Sequence, residues 1–214
     1  SGNFVMESSS FKPNEIWFST TQSGLKKYDY NSYYDITTFN GLSGNAISCI
    51  KHDKKGNLWV GVGGMGVDII NENAIAHLDV ESGLLSNNIS FFYPEEDRMW
   101  IASDAGINII EDDSMFTLTK VNGLKSNQIR SIIRDLKGNY WIASSDGVSK
   151  LKFMNDKAVH IKNYGIEHGL NVTDFNSSVY LMDDGRIRWG TNHSIITADP
   201  DNENEHDFKI KLNL

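Results

Sequence analysis

A tryptophan recurs in this 214-residue sequence at a nearly constant interval. Trp17, Trp59, Trp100 and Trp141 are spaced 42, 41 and 41 residues apart, and a short segment containing glycine follows each one. Self-similarity with a period near 40 is typical of repeat architectures, in which each copy is one supersecondary unit. The sequence therefore predicts stacked copies of one small unit.

A second signature, Gly-Leu followed by a polar stretch and then Ile or Phe, precedes each of the later tryptophans. Its first residues are Gly41, Gly83, Gly123 and, in a looser form, Gly169. In the last copy, counting from Gly185, Arg188 takes the Trp position and Trp189 the next one. Two signatures in register along the chain define about five units.

The second unit shows how one copy folds. Its alternating apolar segments predict four strands, A to D, at Ala46–Lys51, Leu58–Val62, Val67–Asn71 and Ala74–Val80. Phe4–Ser8 fits strand A of the first unit. Because no stretch has a sustained helical period, the predicted fold class is an all-β propeller with blades of four antiparallel strands.

The recurring Trp side chains are interpreted as structural, filling the space between neighbouring blades. They are Trp17, Trp59, Trp100, Trp141 and Trp189. A small residue recurs two positions after each Trp position and lets adjacent sheets approach. These residues are Ser19, Gly61, Ala102, Ala143 and Gly190.

Charge and cysteine content narrow the classes of partner and site. The formal net charge is −8 with no cluster of Lys or Arg, which disfavours nucleic acid and anionic membranes as partners. Cys49 is the single cysteine, so no internal disulfide forms, and a small buried residue is expected. Ser1-Gly2 is interpreted as a tag remnant, so the lack of a signal peptide says nothing about compartment.

Motifs of common catalytic and cofactor sites do not occur. The six histidines lack metal-ligand spacing, and the Gly-rich segment 61–66 joins two strands instead of opening a helix. No catalytic residue, metal site or cofactor is therefore predicted. Four acidic residues of the A–B turns are interpreted as turn formers, with Ca²⁺ binding as the weaker alternative. They are Asp53, Glu96, Asp135 and Asp184.

Topology selects a candidate binding surface. Strands alternate in direction, so D–A and B–C loops emerge at one edge of each blade, and residues there that vary between copies are ligand candidates. These are Gln22, Asn88, Asp104, Gln128, Arg130, Asp146, Asp174, Asn176 and His193. By contrast, the repeated Asn45, Asn87 and Asn127 are expected to bond loop backbone. The long segment 152–168 is either a binding loop or a longer C–D connection.

The motifs Gly-Leu-x-Ser-Asn-x-Ile, Asp-x-x-Gly-Asn-Leu-Trp-Val-Gly and Gly-Val resemble the two-component regulator propeller repeat. The resemblance implies the periplasmic sensor region of a hybrid two-component histidine kinase of Bacteroides type. It also implies a seven-bladed ring, an oligosaccharide ligand, a homodimeric receptor and a membrane-anchored parent chain. A complete five-bladed ring is the alternative.

The resemblance also organises the domains. After the tag remnant at 1–2, blades are expected over 3–200, at about 3–40, 41–82, 83–122, 123–168 and 169–200. Residues 201–214 are either a closing strand or the start of a following β-sandwich domain, because Phe208–Leu212 alternates like a strand.

Three functions are compatible with the sequence. The leading one is a non-enzymatic module that senses an oligosaccharide and signals by rearrangement of a dimer. The second is a protein-interaction or dimerisation scaffold without a small ligand. The third is a propeller lyase or hydrolase, which requires His193, Asp146 and Asp174 to converge.

Overall fold

The computed structural model describes residues 4–154, 157–170, 174–201 and 208–212. These residues form twenty β-strands and three short 3-10 helices. They divide into two compact units, one containing residues up to 104 together with 108–115, the other containing 105–107 and the residues from 116 onward. In the described part of the chain, every helix is too short to cross a bilayer.

The strands form five sheets of four, each ordered as in the chain. The first sheet contains β1 (Val5–Ser9), β2 (Ile16–Thr20), β3 (Leu25–Tyr28) and β4 (Tyr33–Ile36). The second contains β5 (Ile47–His52), β6 (Leu58–Val62), β7 (Gly66–Ile70) and β8 (Ile75–Leu78). The third contains β9 (Ile89–Pro94), β10 (Arg98–Ser103), β11 (Ile107–Glu111) and β12 (Ser114–Leu118).

The fourth sheet contains β13 (Ile129–Arg134), β14 (Tyr140–Ser144), β15 (Gly147–Met154) and β16 (Lys157–Tyr164). The fifth contains β17 (Phe175–Leu181), β18 (Ile187–Thr191), β19 (Ser194–Ala198) and β20 (Phe208–Leu212). The predicted all-β class with blades of four antiparallel strands is confirmed. We call the sheets the first to fifth blades.

Two segments that the sequence left open take a definite form. The strand at 208–212 pairs with β19, so it is the outer strand of the fifth blade. Most of segment 152–168 lengthens the last two strands of the fourth blade, which have eight residues each. Both segments therefore contribute strands to blades.

A short 3-10 turn precedes strand A of the second, fourth and fifth blades. These turns are η1 (Thr38–Asn40), η2 (Lys120–Asn122) and η3 (Ile166–His168). Gly41 and Gly123 end the first two in the left-handed region, with φ of 105° and 106°, which side chains disfavour. The same dihedral recurs at Gly83, where no helix is assigned.

The repeated asparagines hold the D–A loops. The Oδ1 atoms of Asn45, Asn87 and Asn127 each accept a hydrogen bond from the amide seven residues earlier, at 3.0, 3.0 and 2.7 Å. Because a buried or turning backbone must find partners for its amides, this bond explains why Asn recurs. The expectation that these side chains bond loop backbone is confirmed.

In the compact unit that contains residues up to 104, consecutive blades pack face to face through their tryptophans. Trp17 joins a core with Ile50 and Val60 of the second blade. Trp59 joins a core with residues of the third blade, and its ring lies 6.3 Å from that of Phe92. A Cβ on Gly61 would come within 3.2 Å of Ile89 on the next blade, so only a very small residue permits this approach.

In the compact unit that contains the residues from 116 onward, the fourth and fifth blades share a core around two tryptophans. The rings of Trp141 and Trp189 lie 6.2 Å apart, and both side chains are buried. The strand register pairs Tyr180 with Arg188, as it pairs Ile133 with Trp141, so Arg188 does occupy the Trp position. Because side chains alternate along a strand, Trp189 lies on the opposite sheet face and enters the shared core from the other side.

Candidate functional site

The D–A and B–C loops of one blade meet at the same edge of its sheet. In the first blade the Thr21 amide donates to the Phe4 carbonyl at 3.1 Å, and in the fourth the Ser145 amide donates to the Gln128 carbonyl at 3.0 Å. The predicted common edge for these loops is therefore observed in these two blades. We call it the loop edge, and the edge with A–B and C–D connections the turn edge.

Two candidate residues bond to each other at the loop edge of the third blade. The Asn88 Nδ2 atom donates to the Asp104 carboxylate at 3.0 Å, and both residues are exposed. The Asn88 amide donates to the Ser86 hydroxyl at 3.0 Å, which fixes the backbone of the loop. This pair therefore presents an amide and a carboxylate together to solvent.

A chain of hydroxyl groups supports the candidates of the fourth blade. The Gln128 amide donates to Ser126 Oγ at 3.3 Å, and this hydroxyl lies 3.0 Å from Ser145 Oγ. The Ser145 hydroxyl also donates to Asp146 at 3.1 Å. The residues Gln128, Asp146 and Arg130 are exposed, so this edge offers an amide, a carboxylate and a guanidinium.

The fifth blade contributes three further candidate ligand-binding residues. Asn176 links strands β17 and β18 near the loop edge, because its Nδ2 donates to the Thr191 carbonyl at 3.3 Å, and its Oδ1 accepts from the Ser178 amide within β17 at 2.8 Å. The His193 amide donates to the Thr191 hydroxyl at 3.2 Å, and the residue is exposed. Asp174 is half-buried, with one carboxylate oxygen enclosed.

The catalytic arrangement considered for a lyase is not assembled by hydrogen bonds. Among the described residues, no hydrogen bond joins Asp146, Asp174 and His193, and Asp146 instead accepts from Ser145. In the same part of the chain, no group of three or more His, Cys, Asp or Glu could hold a metal ion. The last candidate, Gln22, is exposed in the first blade's B–C loop.

At the turn edge, a carboxylate closes the A–B turn of the second blade. Asp53 accepts hydrogen bonds from the amides of Lys55 and Asn57, from Asn57 Nδ2 and from the indole Nε1 of Trp59, all at 2.8–2.9 Å. The same set of bonds recurs around Asp135 in the fourth blade. We call this arrangement the Asp–Trp lock.

The lock also controls the ionisation of its carboxylate. Burial is the largest single influence on Asp53 and opposes ionisation, but the hydrogen bonds from Trp59 and Asn57 together outweigh it. The pKa of Asp53 therefore lies below the usual value of an aspartate, and the pKa of Asp135 is lowered in the same way. Both side chains act as structural acceptors in their charged form.

The other predicted turn formers behave differently. In the third blade Glu95, and not the predicted Glu96, accepts the Trp100 indole hydrogen at 2.9 Å, because this turn is one residue shorter. In the fifth blade Asp184 bonds the amide and guanidinium of Arg186. Asp184 thus makes bonds within its own turn, whereas Glu96 lies in the third blade's turn next to the residue that binds the tryptophan.

The A–B turn of the first blade departs from the lock. It has the same length as the turn of the second blade, so by register Phe11 takes the place of Asp53, and Glu15 that of Asn57. Glu15 accepts the Trp17 indole hydrogen at 3.2 Å, and its other oxygen lies 2.8 Å from Lys27 Nζ. The tryptophan keeps an acceptor, but it comes from a different position.

A cleft lies beside this altered turn, between the first and second blades. It has a volume of about 310 Å³, and we call it the first cleft. Equivalent turn-edge clefts between the second and third blades and between the fourth and fifth measure about 150 and 160 Å³. The walls of the first cleft include Phe11, Trp17, His52, Asn57, Asn71 and Glu72.

Sequence reasoning missed this cleft because it looked for variation only at the loop edge. The signal was present: a phenylalanine stands at position 11, where an aspartate stands at the same turn position of the second and fourth units. Phe11 stacks on His52 with ring centroids 5.9 Å apart, and its ring comes within 2.8 Å of where a Cβ on Gly56 would be. A glycine at position 56 therefore accommodates the ring.

The strands A of the first two blades are joined by side-chain bonds to backbone. Glu7 accepts from the Ile50 amide at 2.9 Å, and the Ser9 hydroxyl contacts both the amide of His52 and its Nδ1, at 3.3 and 2.8 Å. Burial raises the pKa of Glu7 and lowers that of His52. Cys49 is buried as expected, and burial raises the pKa of its thiol to about 12.

Residues 41–64, which contain the second blade's Asp–Trp lock and its strands A and B, match the family model of the two-component regulator propeller. One copy of the two-component regulator propeller repeat is thereby recognised at residues 41–64. The resemblance found in the sequence is thereby confirmed. The matched residues are those whose backbone bonds and core packing define the blade, so the repeat itself reports architecture.

The similar proteins include members of two-component systems and a lyase. Histidine kinase P4 of Formosa agariphila is 25% identical to this chain, and the alignment covers 93% of this chain and 16% of that protein. The extracellular domain of the hybrid two-component system BT3049 of B. thetaiotaomicron superposes with a TM-score of 0.81 at 20% identity, over 98% of this chain and 28% of that one. Virginiamycin B lyase of Staphylococcus aureus shares the fold, with a TM-score of 0.69 at 11% identity, over 98% of this chain and 70% of that one.

Proposed function

We propose that this chain is a non-enzymatic ligand-sensing module in the periplasmic part of a hybrid two-component sensor kinase. The observation that carries the proposal is the similarity of almost the whole repeat-bearing chain to an extracellular domain of such a system. The chain spans less than a third of that domain, so the parent receptor, its membrane anchor and its kinase are part of the proposal.

The proposed ligand is an oligosaccharide. Sugars present many hydroxyl groups that both donate and accept hydrogen bonds, and the loop edges offer exposed groups of both kinds. The Asn88–Asp104 pair and the exposed Gln128 and Asp146 are examples.

Signalling requires that the ligand bind one arrangement of the receptor better than another, because a ligand shifts an equilibrium only through differential affinity. We propose that sugar binding shifts a receptor homodimer between two such arrangements. The rigid blades supply a fixed scaffold, and the loops supply contacts that can differ between the two states.

Isothermal titration calorimetry of this chain against a panel of neutral and acidic oligosaccharides tests the proposal. We expect a saturable heat for one glycan class. The Asp104→Asn variant keeps the size of the side chain but removes its charge, and serves to probe the loop edge. If no glycan binds this chain or the full extracellular region, direct sensing is ruled out.

One observation favours a scaffold as the second candidate. On the first blade, Ile16, Tyr28 and Tyr33 are paired across strands and so share one face, the rings of the two tyrosines are stacked 4.5 Å apart, and Tyr33 is 72% exposed. A partly exposed apolar row of this kind fits a second protein surface, here a second copy of the chain. Light scattering should then show concentration-dependent association that Tyr33→Ser reduces, and a constant monomer mass would contradict it.

A further inference from the structure

The first cleft has the size and the wall chemistry of a small-molecule site. Its volume of about 310 Å³ is twice that of the equivalent cleft between the second and third blades. Small-molecule sites start at roughly 300 Å³. The cleft arises where Phe11 replaces the aspartate of the Asp–Trp lock, so the departure from the repeat and the concavity coincide.

An aromatic ring forms part of the wall. Phe11 is 48% exposed although it lines a cleft, while His52 covers part of it by stacking at an interplanar angle of 27°. In the second and fourth blades the aspartate at this position accepts the hydrogen bonds of its own turn and of the tryptophan. The phenylalanine is not needed to hold Trp17, because Glu15 does so, and its ring is therefore available to a ligand.

Three polar groups of the cleft have capacity left after their internal bonds. Asn57 uses Nδ2 to bond Asp53, which leaves Oδ1 as an acceptor. Asn71 uses Oδ1 to accept the amides of Asn73 and Ala74, which leaves Nδ2 as a donor. His52 uses Nδ1 with the hydroxyl of Ser9, which leaves Nε2. The cleft thus offers donors and acceptors beside an aromatic ring.

The charges of the cleft are largely paired within it. Lys12 Nζ lies 2.9 Å from Glu72, and Lys27 Nζ lies 2.8 Å from Glu15. Burial lowers the pKa of His52, so its ring is neutral at pH 7. Lys55 adds one exposed ammonium group at the solvent side. A charged ligand would compete with existing ion pairs, whereas a neutral polyhydroxylated ligand would not.

We propose that the first cleft binds one or two units of a neutral pyranose sugar, with a sugar face on Phe11 and hydroxyl groups at Asn57, Asn71 and His52. The apolar C–H face of a pyranose matches an aromatic ring, and its hydroxyl groups match amide and imidazole partners. This inference rests on the proposed function, and it moves the primary sugar contact from the loop edge to the turn edge.

Calorimetric titration of the intact chain with maltose, cellobiose, xylobiose and digalacturonic acid tests the site, using a matched pair of variants. Phe11→Ala removes the ring from the cleft, and Phe39→Ala removes a 99% exposed ring from η1. We expect binding of a neutral disaccharide, weakened about tenfold or more by Phe11→Ala and unchanged by Phe39→Ala. Thermal unfolding checks that both variants fold.

A second variant separates stacking from packing. Phe11→Leu keeps the apolar bulk against Gly56 but removes the aromatic face, so it should also weaken sugar binding while preserving stability. Sugar binding that survives both Phe11 variants but is lost in Asp104→Asn would overturn the first cleft and leave the proposed function standing. If no sugar binds the wild-type chain or the full extracellular region, the proposed function itself fails.

Discussion

The A–B turns of the first and second blades have the same length and deliver the same residue, a buried tryptophan, yet they are closed in different ways. In the second blade Asp53 satisfies four donors of its own turn. In the first blade Phe11 stands in its place, and Glu15 binds the tryptophan from the strand side. A turn that bonds to itself leaves a small cleft, whereas a turn with an apolar residue leaves a large one.

A repeat protein tolerates variation at a position when a neighbouring residue can meet the same structural requirement. The tryptophan must keep both its core position and an acceptor for its indole N–H, because an unpaired buried donor is costly. The identity of the acceptor is free, since an aspartate six residues before the tryptophan or a glutamate two residues before it both serve. Because Glu15 supplies the acceptor for the Trp17 indole, the residue at position 11 does not have to bind the tryptophan and can line a ligand site.

The largest expected loss of stability comes from removing the buried tryptophan that follows the A–B turn. Trp59→Ala should lower the free energy of unfolding by about 3–5 kcal/mol, because it empties the core between the second and third blades. Urea unfolding followed by circular dichroism measures this loss. Phe39→Ala is the control, since that fully exposed ring has no core to leave, and an equal loss in both variants would show that Trp59 does not support the interface.

The next effect tests the lock directly. Asp53→Ala leaves the indole of Trp59, the amide of Asn57 and two backbone amides without their acceptor, so it should cost about 2–3 kcal/mol. Glu15→Ala removes one indole bond and one ion pair, and should cost about 1 kcal/mol. Urea unfolding midpoints of the two variants give the comparison. Equal losses would mean that the two turns are energetically alike.

The lock has a pH signature with a defined sign. The folded pKa of Asp53 is lowered, so the folded state favours the charged form. The stability that it contributes is fully present above the unfolded pKa and is lost as the pH falls through the folded value. Asp53→Ala should therefore show a smaller loss of stability between pH 5 and pH 3 than the wild type, which acid titration of the unfolding midpoint measures.

Much of this molecule follows from the sequence, for reasons that particular residues show. The interval between tryptophans gave the blades, and the count from Gly185 placed Arg188 at the Trp position, because strand pairing propagates register through a fixed turn length. The predicted strand A of the second blade begins one residue early, at Ala46 instead of Ile47. Boundaries depend on the last hydrogen bond of a ladder, which no pattern specifies.

The candidate site was harder to predict. Hydrogen bonding between Asn88 and Asp104 links residues 16 positions apart, and only their shared edge could be expected from topology. The first cleft depends on how Phe11 packs over the neighbouring blade at Gly56, a contact between residues 45 positions apart. Sequence periodicity marks which positions vary, but the shape that a variant residue creates depends on packing between blades.

A smaller effect concerns the strands that join the two compared blades. The pKa of Glu7 is raised in the folded state, mainly because burial disfavours its charge. The folded state therefore binds a proton more tightly than the unfolded chain, and stability falls as the pH rises from about 4.5 through the folded pKa. Glu7→Gln should raise stability at pH 7, because the amide oxygen can still accept from the Ile50 amide.

The measurement is the difference in unfolding midpoint between wild type and Glu7→Gln at pH 4 and at pH 7. The variant should gain at pH 7 relative to its difference at pH 4, where the wild-type carboxyl takes up its proton. Glu96→Gln, a change at an exposed A–B turn residue, is the control for a simple change in net charge. A gain that is the same at both pH values would contradict a buried carboxylate at this junction.

The smallest effect is expected at the mouth of the first cleft, where Lys12 and Glu72 form an ion pair between exposed side chains. Exposed pairs contribute little, since solvent screens them and two long side chains lose freedom. Lys12→Met should leave the unfolding midpoint unchanged within error, in contrast to the changes at Asp53. In calorimetry the same variant should alter neutral sugar binding less than Phe11→Ala does, because the ring and not the pair makes the cleft a site. A larger loss of affinity from Lys12→Met than from Phe11→Ala would instead assign recognition to charge.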